Sequence, residues 1–342
     1  VRWDGQAISG KGSDPRALPG LDRLPNLVRS ICTPEFAGIT FHEVLARTAL
    51  NRVSPAAGVP FAWTVNPYRG CSHACVYCFA RQTHTYLDLD AGNDFDRQIV
   101  VKINIAEVLA REVRRSSWTR EPVALGTNTD PYQRAEGRYR LMPGVIAALA
   151  RSGTPFSILT KGTVARRDLP QLAGAGRDVP VGLGVSLALH DEVIQSTLEP
   201  GTPSPRARLE LVRAIVAAGL SCQVLVAPIL PGITDRDEQI DAVLAEVAGA
   251  GATSATVFAL HLRPGAREWF WRYLRTHHPR LLPTYARLYG GGSYVDRSYA
   301  HDLGQRAAVL LQRHGLDRPS RWPAARPAAP VPPSPARQPA LF

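Results

Sequence analysis

Short β-rich segments alternate with helical segments through most of the chain, and this alternation restricts the fold more than any other feature. The strand-like runs are FAWTV, PVALGT, FSILTKG, VGLGVSLAL, CQVLVAPI and SATVFAL. Helix-like segments such as KINIAEVLAREVRR and RARLELVRAIVAAG mostly separate them. Nearly continuous apolar strands are typical of a parallel sheet that is covered on both faces. We predict an α/β fold, a partial (β/α)6 TIM-like barrel, with a doubly wound sheet as the alternative.

The regions on either side of this core differ from it in composition. Residues 1–60 are turn-rich and are predicted to be a lead-in that packs on the barrel, with one helical stretch around FHEVLARTALNRV. The predicted core covers residues 61–262. Residues 263–318 are predicted to form a basic, aromatic-rich helical extension. Residues 319–342 form a tail whose proline and alanine content predicts disorder.

The composition is that of a globular enzyme, with 45% hydrophobic and 20% charged residues among 342. The first residues, VRWDGQAISG, contain no basic segment followed by an apolar run, and no apolar stretch is long enough to span a bilayer. We therefore expect a cytoplasmic protein with no membrane partner.

The net charge of +11 is consistent with a polyanionic partner such as nucleic acid. Only Lys11, Lys102 and Lys161 are lysines, and the other basic residues are arginines. A GC-rich genome would produce the same excess of arginine, so the charge alone leaves both interpretations open.

Three of the five cysteines are crowded into the segment NPYRGCSHACVYCFAR, directly after the first predicted strand. An odd number of cysteines at this spacing fits reduced thiols that hold a metal better than it fits a disulfide framework. Cys71, Cys75 and Cys78 have the spacing C-x3-C-x2-C, which can wrap three sulfurs around one corner of an iron-sulfur cluster. Because such clusters usually take four cysteine ligands, one iron would be left open to a substrate or cofactor.

Two other uses of these thiols remain open at this point. A zinc site could be completed by His73 or His84, although the second short ligand pair of a structural zinc site is absent from the sequence. A redox pair of Cys75 and Cys78 would leave Cys71 unexplained. For His73 we expect a hydrogen bond beside the metal site rather than ligation.

Polar and glycine residues follow the predicted strands, at the edge where barrel enzymes carry their chemistry. These strand exits are Gly126 to Asp130, Lys161 with Gly162, Ser186, and Pro228 to Gly232. His261 follows the sixth strand and either faces a substrate or is an ordinary strand-exit histidine.

The cysteine motif in this setting resembles the signature of the radical S-adenosylmethionine (SAM) superfamily, C-x3-C-x-aromatic-C at the end of the first barrel strand. The likeness extends to its spore photoproduct lyase-like (DNA repair photolyase-like) branch over roughly residues 60–262. It is carried by NPYRGCSHACVYC, GTNTDPYQ, LTKG, VSLA, LEPGTPSPRARL and VAPILPG. The resemblance implies that the three cysteines hold a 4Fe-4S cluster whose open iron is chelated by SAM. Electron transfer would then cleave SAM to a 5′-deoxyadenosyl radical, which abstracts hydrogen from the substrate.

The resemblance also implies which residues contact SAM. Tyr77 would lie beside the adenine, the Lys161 ammonium would meet the methionine carboxylate, and the Ser186 hydroxyl would meet a ribose hydroxyl. Less specific candidates follow the second strand or lie in the EPGT segment: Asn128, Thr129, Asp130, Glu199 and Arg208. The alternatives are a surface ion pair for the last two and turn chemistry for Asp130.

One position departs from the spore photoproduct lyase pattern. The lyase uses a cysteine at the end of the second strand as hydrogen donor, and the aligned residue here is Gly126. We therefore assign no catalytic residue and do not expect the lyase reaction itself. Cys222 begins its predicted strand at the end away from the site, and Cys32 lies in the lead-in, so neither is an obvious replacement.

An external electron donor of the flavodoxin or ferredoxin type is implied by the resemblance. In the extension, Trp269, Phe270, Trp271 and Tyr273 alternate with Arg267, Arg272 and Arg275. This segment is either a base-stacking surface or an amphipathic helix that closes the barrel edge, and we favour the helix.

The chain ends in QPALF, which resembles the peptide with which bacterial replication and repair proteins bind the sliding clamp. The matching residues are Gln338, Leu341 and Phe342. An arbitrary proline-rich terminus explains the same letters.

The sequence therefore predicts a radical SAM enzyme, lyase-like by resemblance, with an unidentified substrate for which nucleic acid or its damage products are candidates. The alternative is a non-enzymatic nucleic-acid-binding protein that carries zinc or an iron-sulfur cluster.

Overall fold

The computed structural model describes residues 26–54, 59 and 61–319. The QPALF peptide, with Gln338, Leu341 and Phe342, lies outside the described residues. The tail from residue 320 onward also lies outside them, and the disorder predicted for it stays a prediction.

The described strands form two sheets, with the orders β1-β2-β6-β5 and β11-β10-β9-β8-β7-β4-β3. The strands are β1 (Leu27–Cys32), β2 (Thr40–Val44), β3 (Leu50–Arg52), β4 (Trp63–Val65), β5 (Tyr68–Arg69), β6 (Gln98–Lys102), β7 (Val123–Leu125), β8 (Phe156–Thr160), β9 (Val181–Ser186), β10 (Cys222–Ile229) and β11 (Ser254–Ala259).

The described helices lie between the strands and after the last of them. They are α1 (Asn93–Arg97), α2 (Ile105–Glu112), α3 (Ala135–Tyr139), α4 (Met142–Arg151), α5 (Leu169–Ala175), α6 (Glu192–Leu198), α7 (Pro205–Ala217), α8 (Asp237–Gly249), α9 (Ala266–His277), α10 (Leu282–Tyr289) and α11 (Arg297–Arg313). Short 3-10 segments cover Pro34–Phe36, Phe79–Leu87, Thr163–Asp168 and Pro279–Leu281.

The larger sheet is the predicted barrel. Its parallel strands β4, β7, β8, β9, β10 and β11 coincide with the predicted strands, and each pairs in parallel with the next. Because the strand order never reverses along the sheet, the fold is not doubly wound. The sheet has β3 and β11 as its edges, so the barrel is partial, as predicted.

The lead-in contains strands where we predicted a helix. Thr40–Val44, which overlaps the start of the predicted helical stretch, is β2, which pairs antiparallel with β1 and parallel with β6. Leu50–Arg52 is β3 and pairs antiparallel with β4. The prediction was wrong because pairing on both sides of β2 supplies backbone partners that a short exposed helix would lack.

The smaller sheet positions the cysteine segment. Strand β5 pairs antiparallel with β6 and ends at Arg69, two residues before Cys71. The backbone N–H of Cys71 then donates to the carbonyl of Phe95 at 3.0 Å, which fixes where the loop leaves the sheet.

The aromatic residues of α9 mainly serve packing. Phe270 is fully buried and Tyr273 is 6% exposed, while Trp269 and Trp271 pack partly buried against the core. This burial confirms that the helix is amphipathic, and closure of the barrel edge by α9 stays a prediction. Within the described residues, no helix has the length and apolar character needed to cross a membrane.

Candidate active site

The cysteine loop, Cys71 to Cys78, is a compact turn structure with its thiols inside. All three cysteines are free; Cys71 and Cys75 are buried and Cys78 is half-buried. The N–H of Ala74 donates to the carbonyl of Cys71, and the N–H of Cys78 to that of Cys75, both at 3.2 Å. Burial raises the pKa of each thiol, and the three sulfurs are close enough to affect one another's pKa.

Residues after β7 hold the start of the loop. The Thr129 hydroxyl and the Gln133 amide both donate to the carbonyl of Gly70, at 2.7 and 3.1 Å. The side-chain oxygen of Gln133 accepts from the N–H of Ser72 at 2.9 Å. Thr129 therefore supports the loop, while the side chain of Asn128 is exposed.

Asp130 joins the loop to the next strand. Its Oδ2 lies 3.2 Å from Nδ1 of His73 and accepts from the N–H of Lys161 at 2.7 Å, while its Oδ1 accepts from the Thr160 hydroxyl. Burial opposes ionisation of Asp130, but His73 and these hydrogen bonds outweigh it and lower its pKa. Its Oδ1 also accepts from the N–H of Tyr132 at 2.8 Å, so the expected turn chemistry is present as well.

The EPGT segment closes over the loop from the other side. The N–H of Val76 donates to the carbonyl of Leu198 at 2.9 Å, and the N–H of Gly201 donates to that of His73 at 3.1 Å. A Cβ at Gly201 would lie 2.0 Å from the carbonyl oxygen of Ser72. Only glycine permits this approach of the two backbones.

Arg81 is fully buried beneath the loop, and sequence reasoning did not identify it. Its Nε and Nη2 donate to the carbonyl of Cys75 at 3.1 and 2.9 Å, and its Nη1 donates to that of Gly92 at 2.8 Å. Asp96 pairs with it at 2.8 Å, and Trp269 of α9 stacks on the guanidinium with its ring centroid 5.1 Å away. The available signal was an arginine three residues after the last cysteine, within a 3-10 segment.

A buried charge cluster faces the loop, consisting of Lys161, Ser186, Glu199, Arg208 and Tyr77. The Glu199 carboxylate lies 2.7 Å from Nη2 of Arg208 and 3.7 Å from Nζ of Lys161, and it accepts a hydrogen bond from the Tyr77 hydroxyl. Nζ of Lys161 donates to the Ser186 hydroxyl at 2.6 Å, and Nη1 of Arg208 donates to the Ser186 carbonyl at 3.1 Å. Residues from four predicted motifs therefore meet at one place.

The ion pair of Glu199 and Arg208 is buried. The alternative interpretation of these two residues, a surface ion pair, is therefore wrong. Both side chains have zero exposure. Burial opposes ionisation of Glu199, but the guanidinium of Arg208 and the ammonium of Lys161 outweigh it, and the pKa of Glu199 falls to about 2. The carboxylate therefore stays charged at neutral pH and holds both cations in place.

Gly126 has a structural reason to lack a side chain. Its φ is +92°, and a Cβ there would lie 2.0 Å from the carbonyl oxygen of Leu159 in the adjacent strand. A cysteine fits this backbone only if the ends of β7 and β8 move apart. The hydrogen donor of the lyase therefore has no counterpart at this position.

The two remaining cysteines lie away from the loop motifs. Cys222 is fully buried at the start of β10, where burial raises the pKa of its thiol to about 12. Cys32 is exposed at the end of β1 in the smaller sheet, with its sulfur 3.2 Å from the Thr40 hydroxyl. His261 follows β11 and is half-buried between aromatic rings.

The histidines proposed as zinc ligands support the loop instead. His73 pairs with Asp130, and His84 donates from Nε2 to the carbonyl of Gln98 at 2.9 Å. Burial lowers the pKa of His84 to about 4, and Phe95 packs against its ring. Within the described residues, no three His, Cys, Asp or Glu side chains converge as ligands of one metal ion.

The donor set fits an iron-sulfur cluster with SAM beside it. Three free thiols on one short loop would be the cluster ligands, and the adjacent charge cluster contains an ammonium, a guanidinium, a carboxylate and a hydroxyl. Among the described residues, Ser72 Oγ and Arg208 Nε are buried without a hydrogen-bond partner. Buried polar atoms of this kind point to a missing partner.

Comparison with known sequences identifies the family. Residues 65–244 match the Radical SAM superfamily. The chain belongs to this superfamily. Its members use a 4Fe-4S cluster and SAM, and the chain is accordingly an enzyme whose reaction class is unresolved.

The chain is also similar to curated relatives and to solved structures. An uncharacterized protein of Mycobacterium tuberculosis is 58% identical over 318 residues, covering 92% of this chain and 93% of the relative. An uncharacterized protein of Acidianus two-tailed virus is 28% identical, covering 74% of this chain and 80% of its own length. Spore photoproduct lyase with bound AdoMet and dinucleoside spore photoproduct superposes with a TM-score of 0.61 at 15% identity, covering 81% of this chain and 80% of the lyase. At that identity the likeness shows a shared fold.

Proposed function

We propose that this protein reductively cleaves SAM to a 5′-deoxyadenosyl radical and uses the radical on a nucleic acid substrate. The observation that carries the first part is the contact between the cysteine loop and the buried charge cluster. Tyr77, which lies between Cys75 and Cys78, donates directly to Glu199 of that cluster. The loop that would hold the cluster and the groups that would bind SAM are therefore a single buried unit.

The proposed roles follow from the chemistry of each group. Cys71, Cys75 and Cys78 would hold the 4Fe-4S cluster, which supplies, when bound, the electron that cleaves SAM. Lys161 carries an ammonium that can pair with the methionine carboxylate, and Ser186 offers a hydroxyl to the ribose.

Glu199 and Arg208 orient the groups that would touch SAM. Because Glu199 stays ionised, it fixes the Lys161 ammonium and the Tyr77 ring, and that ammonium lies 5.8 Å from the ring centroid. Arg208 holds the backbone of Ser186. Thr129 and Asp130 would act on the loop, and Asn128, which is exposed, remains a candidate for direct contact.

Two observations support a nucleic acid substrate. The chain carries a net charge of +11, and it shares its fold with spore photoproduct lyase, which has been solved with a dinucleoside photoproduct bound. Gly126 separates the proposal from the lyase reaction itself, because the backbone leaves no room for a cysteine there. An external electron donor of the flavodoxin or ferredoxin type completes the proposal.

The test is anaerobic reconstitution with iron and sulfide, followed by reduction with dithionite and quantification of 5′-deoxyadenosine. Wild type should accumulate the product, and the triple variant of Cys71, Cys75 and Cys78 to alanine should form none. Cys222→Ala is the matched control, since it removes a buried thiol outside the loop, and it should retain activity. Product formation by the triple variant would refute the proposal, as would colourless protein with stoichiometric zinc.

A further inference from the structure

A row of exposed aromatic rings lies at the open edge of the barrel. Phe258 on β11 is 40% exposed, and Tyr294, on the glycine-rich loop between α10 and α11, is 60% exposed. The ring of His261 lies between them, with centroids 5.6 Å from Phe258 and 4.7 Å from Tyr294. We call Phe258, His261 and Tyr294 the aromatic edge. Large apolar side chains exposed together at an edge strand are unusual unless they bind something.

Strand register places Phe258 on the same face of the sheet as Ser186 of the candidate site. Ser186 pairs with Leu225, and Leu225 pairs with Thr256. Residues that are paired in this way point to one face, and so do residues two apart on a strand. Phe258 therefore shares its face with Ser186, which binds the Lys161 ammonium.

An arginine connects the aromatic edge to the cysteine loop. The Arg263 guanidinium lies 5.6 Å from the ring centroid of Phe79, the residue directly after Cys78. Arg263 also acts electrostatically on His261, where burial, together with this positive charge, lowers the imidazole pKa. A neutral imidazole can stack as an aromatic ring between Phe258 and Tyr294.

Two hydrogen bonds attach the loop that carries Tyr294 to the segment that follows β11. The N–H of Leu262 donates to the carbonyl of Ser293 at 2.8 Å, and Nη1 of Arg267 donates to that of Gly290 at 3.0 Å. These bonds tie the loop that carries Tyr294 to the end of β11 and to α9.

We propose that the aromatic edge, with Arg263 beside it, binds single-stranded nucleic acid by stacking on a base. The choice of occupant rests on charge complementarity at this surface, because the exposed Arg263 guanidinium attracts phosphates while exposed rings accept bases. This inference deepens the proposed function and rests on its nucleic acid substrate. It assigns the residues that would present the substrate beside the cluster-binding loop.

The test measures binding of a labelled single-stranded oligodeoxynucleotide to the full-length protein by fluorescence anisotropy at near-physiological salt. An abasic oligonucleotide of the same length reports the phosphate contribution alone. Tyr294→Leu and Phe258→Leu should each weaken binding of the base-containing strand on the order of tenfold and leave abasic binding unchanged, because only the stacking surface is lost. Tyr294→Phe, which keeps the ring, should bind like wild type.

Tyr86→Leu is the control for a general effect of removing an exposed ring, since Tyr86 is 66% exposed and outside the aromatic edge. It should leave both affinities unchanged. Equal binding of the two oligonucleotides to wild type, no binding, or unchanged binding of Tyr294→Leu would overturn the inference. If Phe258→Leu does not fold, the affinity of Tyr294→Leu alone tests the inference. Formation of 5′-deoxyadenosine is assayed in parallel, so that loss of base stacking and failure of SAM cleavage are told apart.

Discussion

The cysteine loop and the aromatic edge, which Arg263 connects through its contact with Phe79, are built in opposite ways. Around the loop, buried charged side chains have partners: Arg81 donates to the carbonyl of Cys75, and Glu199 pairs with Arg208. At the aromatic edge, Phe258 and Tyr294 expose large parts of their rings and are held mainly by backbone bonds nearby. In the proposed function, the rigid loop region would hold the cofactors and the exposed aromatic edge would receive the substrate.

This contrast has an energetic basis. A buried charge or carbonyl that loses its partner keeps the full cost of its desolvation, so the loop region tolerates few changes. Removing an exposed ring changes the free energy of unfolding little, because such a ring buries little surface on folding. Changes around the loop should therefore affect stability and cofactor binding together, whereas changes at the aromatic edge should affect binding alone.

The largest effect is expected for Glu199→Gln, which leaves Arg208 and Lys161 buried without their counterion. We expect the free energy of unfolding to fall by about 3–5 kcal/mol, measured by denaturant titration. Glu210→Gln is the matched control, because its pair with Arg213 is about half exposed on the surface, and it should change the value by no more than about 1 kcal/mol. Equal losses in the two variants would contradict the buried-cluster interpretation.

Gly201→Ala tests the close approach of the EPGT segment to the loop. The added Cβ would lie 2.0 Å from the carbonyl oxygen of Ser72, so the loop must shift, at a cost of about 1–3 kcal/mol. Iron content after reconstitution should fall in parallel with stability. Gly249→Ala adds a methyl group in α8 where no atom lies within 4 Å, and it should be neutral or stabilise by up to about 1 kcal/mol. Full iron loading of Gly201→Ala would show that the contact does not matter.

Gly126→Cys tests whether the lyase arrangement can be restored. Its Cβ would meet the carbonyl oxygen of Leu159, and its φ is unfavourable for any side chain, so we expect a loss of about 1–3 kcal/mol and lower yields of 5′-deoxyadenosine. A variant as stable as wild type would show that the ends of β7 and β8 separate easily.

The smallest effect on stability is expected at the aromatic edge. Tyr294→Leu should change the free energy of unfolding by no more than about 0.5 kcal/mol, because the ring is 60% exposed. Denaturant titration alongside Glu199→Gln measures the contrast directly. A loss of several kcal/mol would mean that this ring belongs to the core and not to a binding surface.

The barrel could be predicted because its strands are nearly continuous apolar runs. Such runs can be recognised in the sequence without knowledge of distant contacts. Lys161 and Ser186 were candidates because they lie at the ends of predicted strands, which parallel topology brings together. Glu199 follows α6 and Arg208 lies in α7, so they were candidates only through the resemblance of the EPGT segment. The strands of the lead-in were missed, because the pairing of β2 with β1 and β6 is set by residues far apart in the chain.

The contacts of the site residues were harder to predict from the sequence than the identity of those residues. The burial of the Glu199–Arg208 pair and the role of Arg81 depend on which backbone carbonyls lie nearby, which no local pattern encodes. Likewise, the reason for glycine at position 126 is the carbonyl of Leu159, a residue on the neighbouring strand. Phe258, His261 and Tyr294 become one surface only after the chain has folded.

The proposed function requires a cluster with one iron open to SAM, and electron paramagnetic resonance of the reduced, reconstituted protein tests this most directly. The spectrum is recorded with and without SAM under otherwise identical conditions. Ligation at an open iron changes its coordination, so we predict a clear change in the signal of wild type when SAM is added. Identical spectra in the presence and absence of SAM would contradict the account.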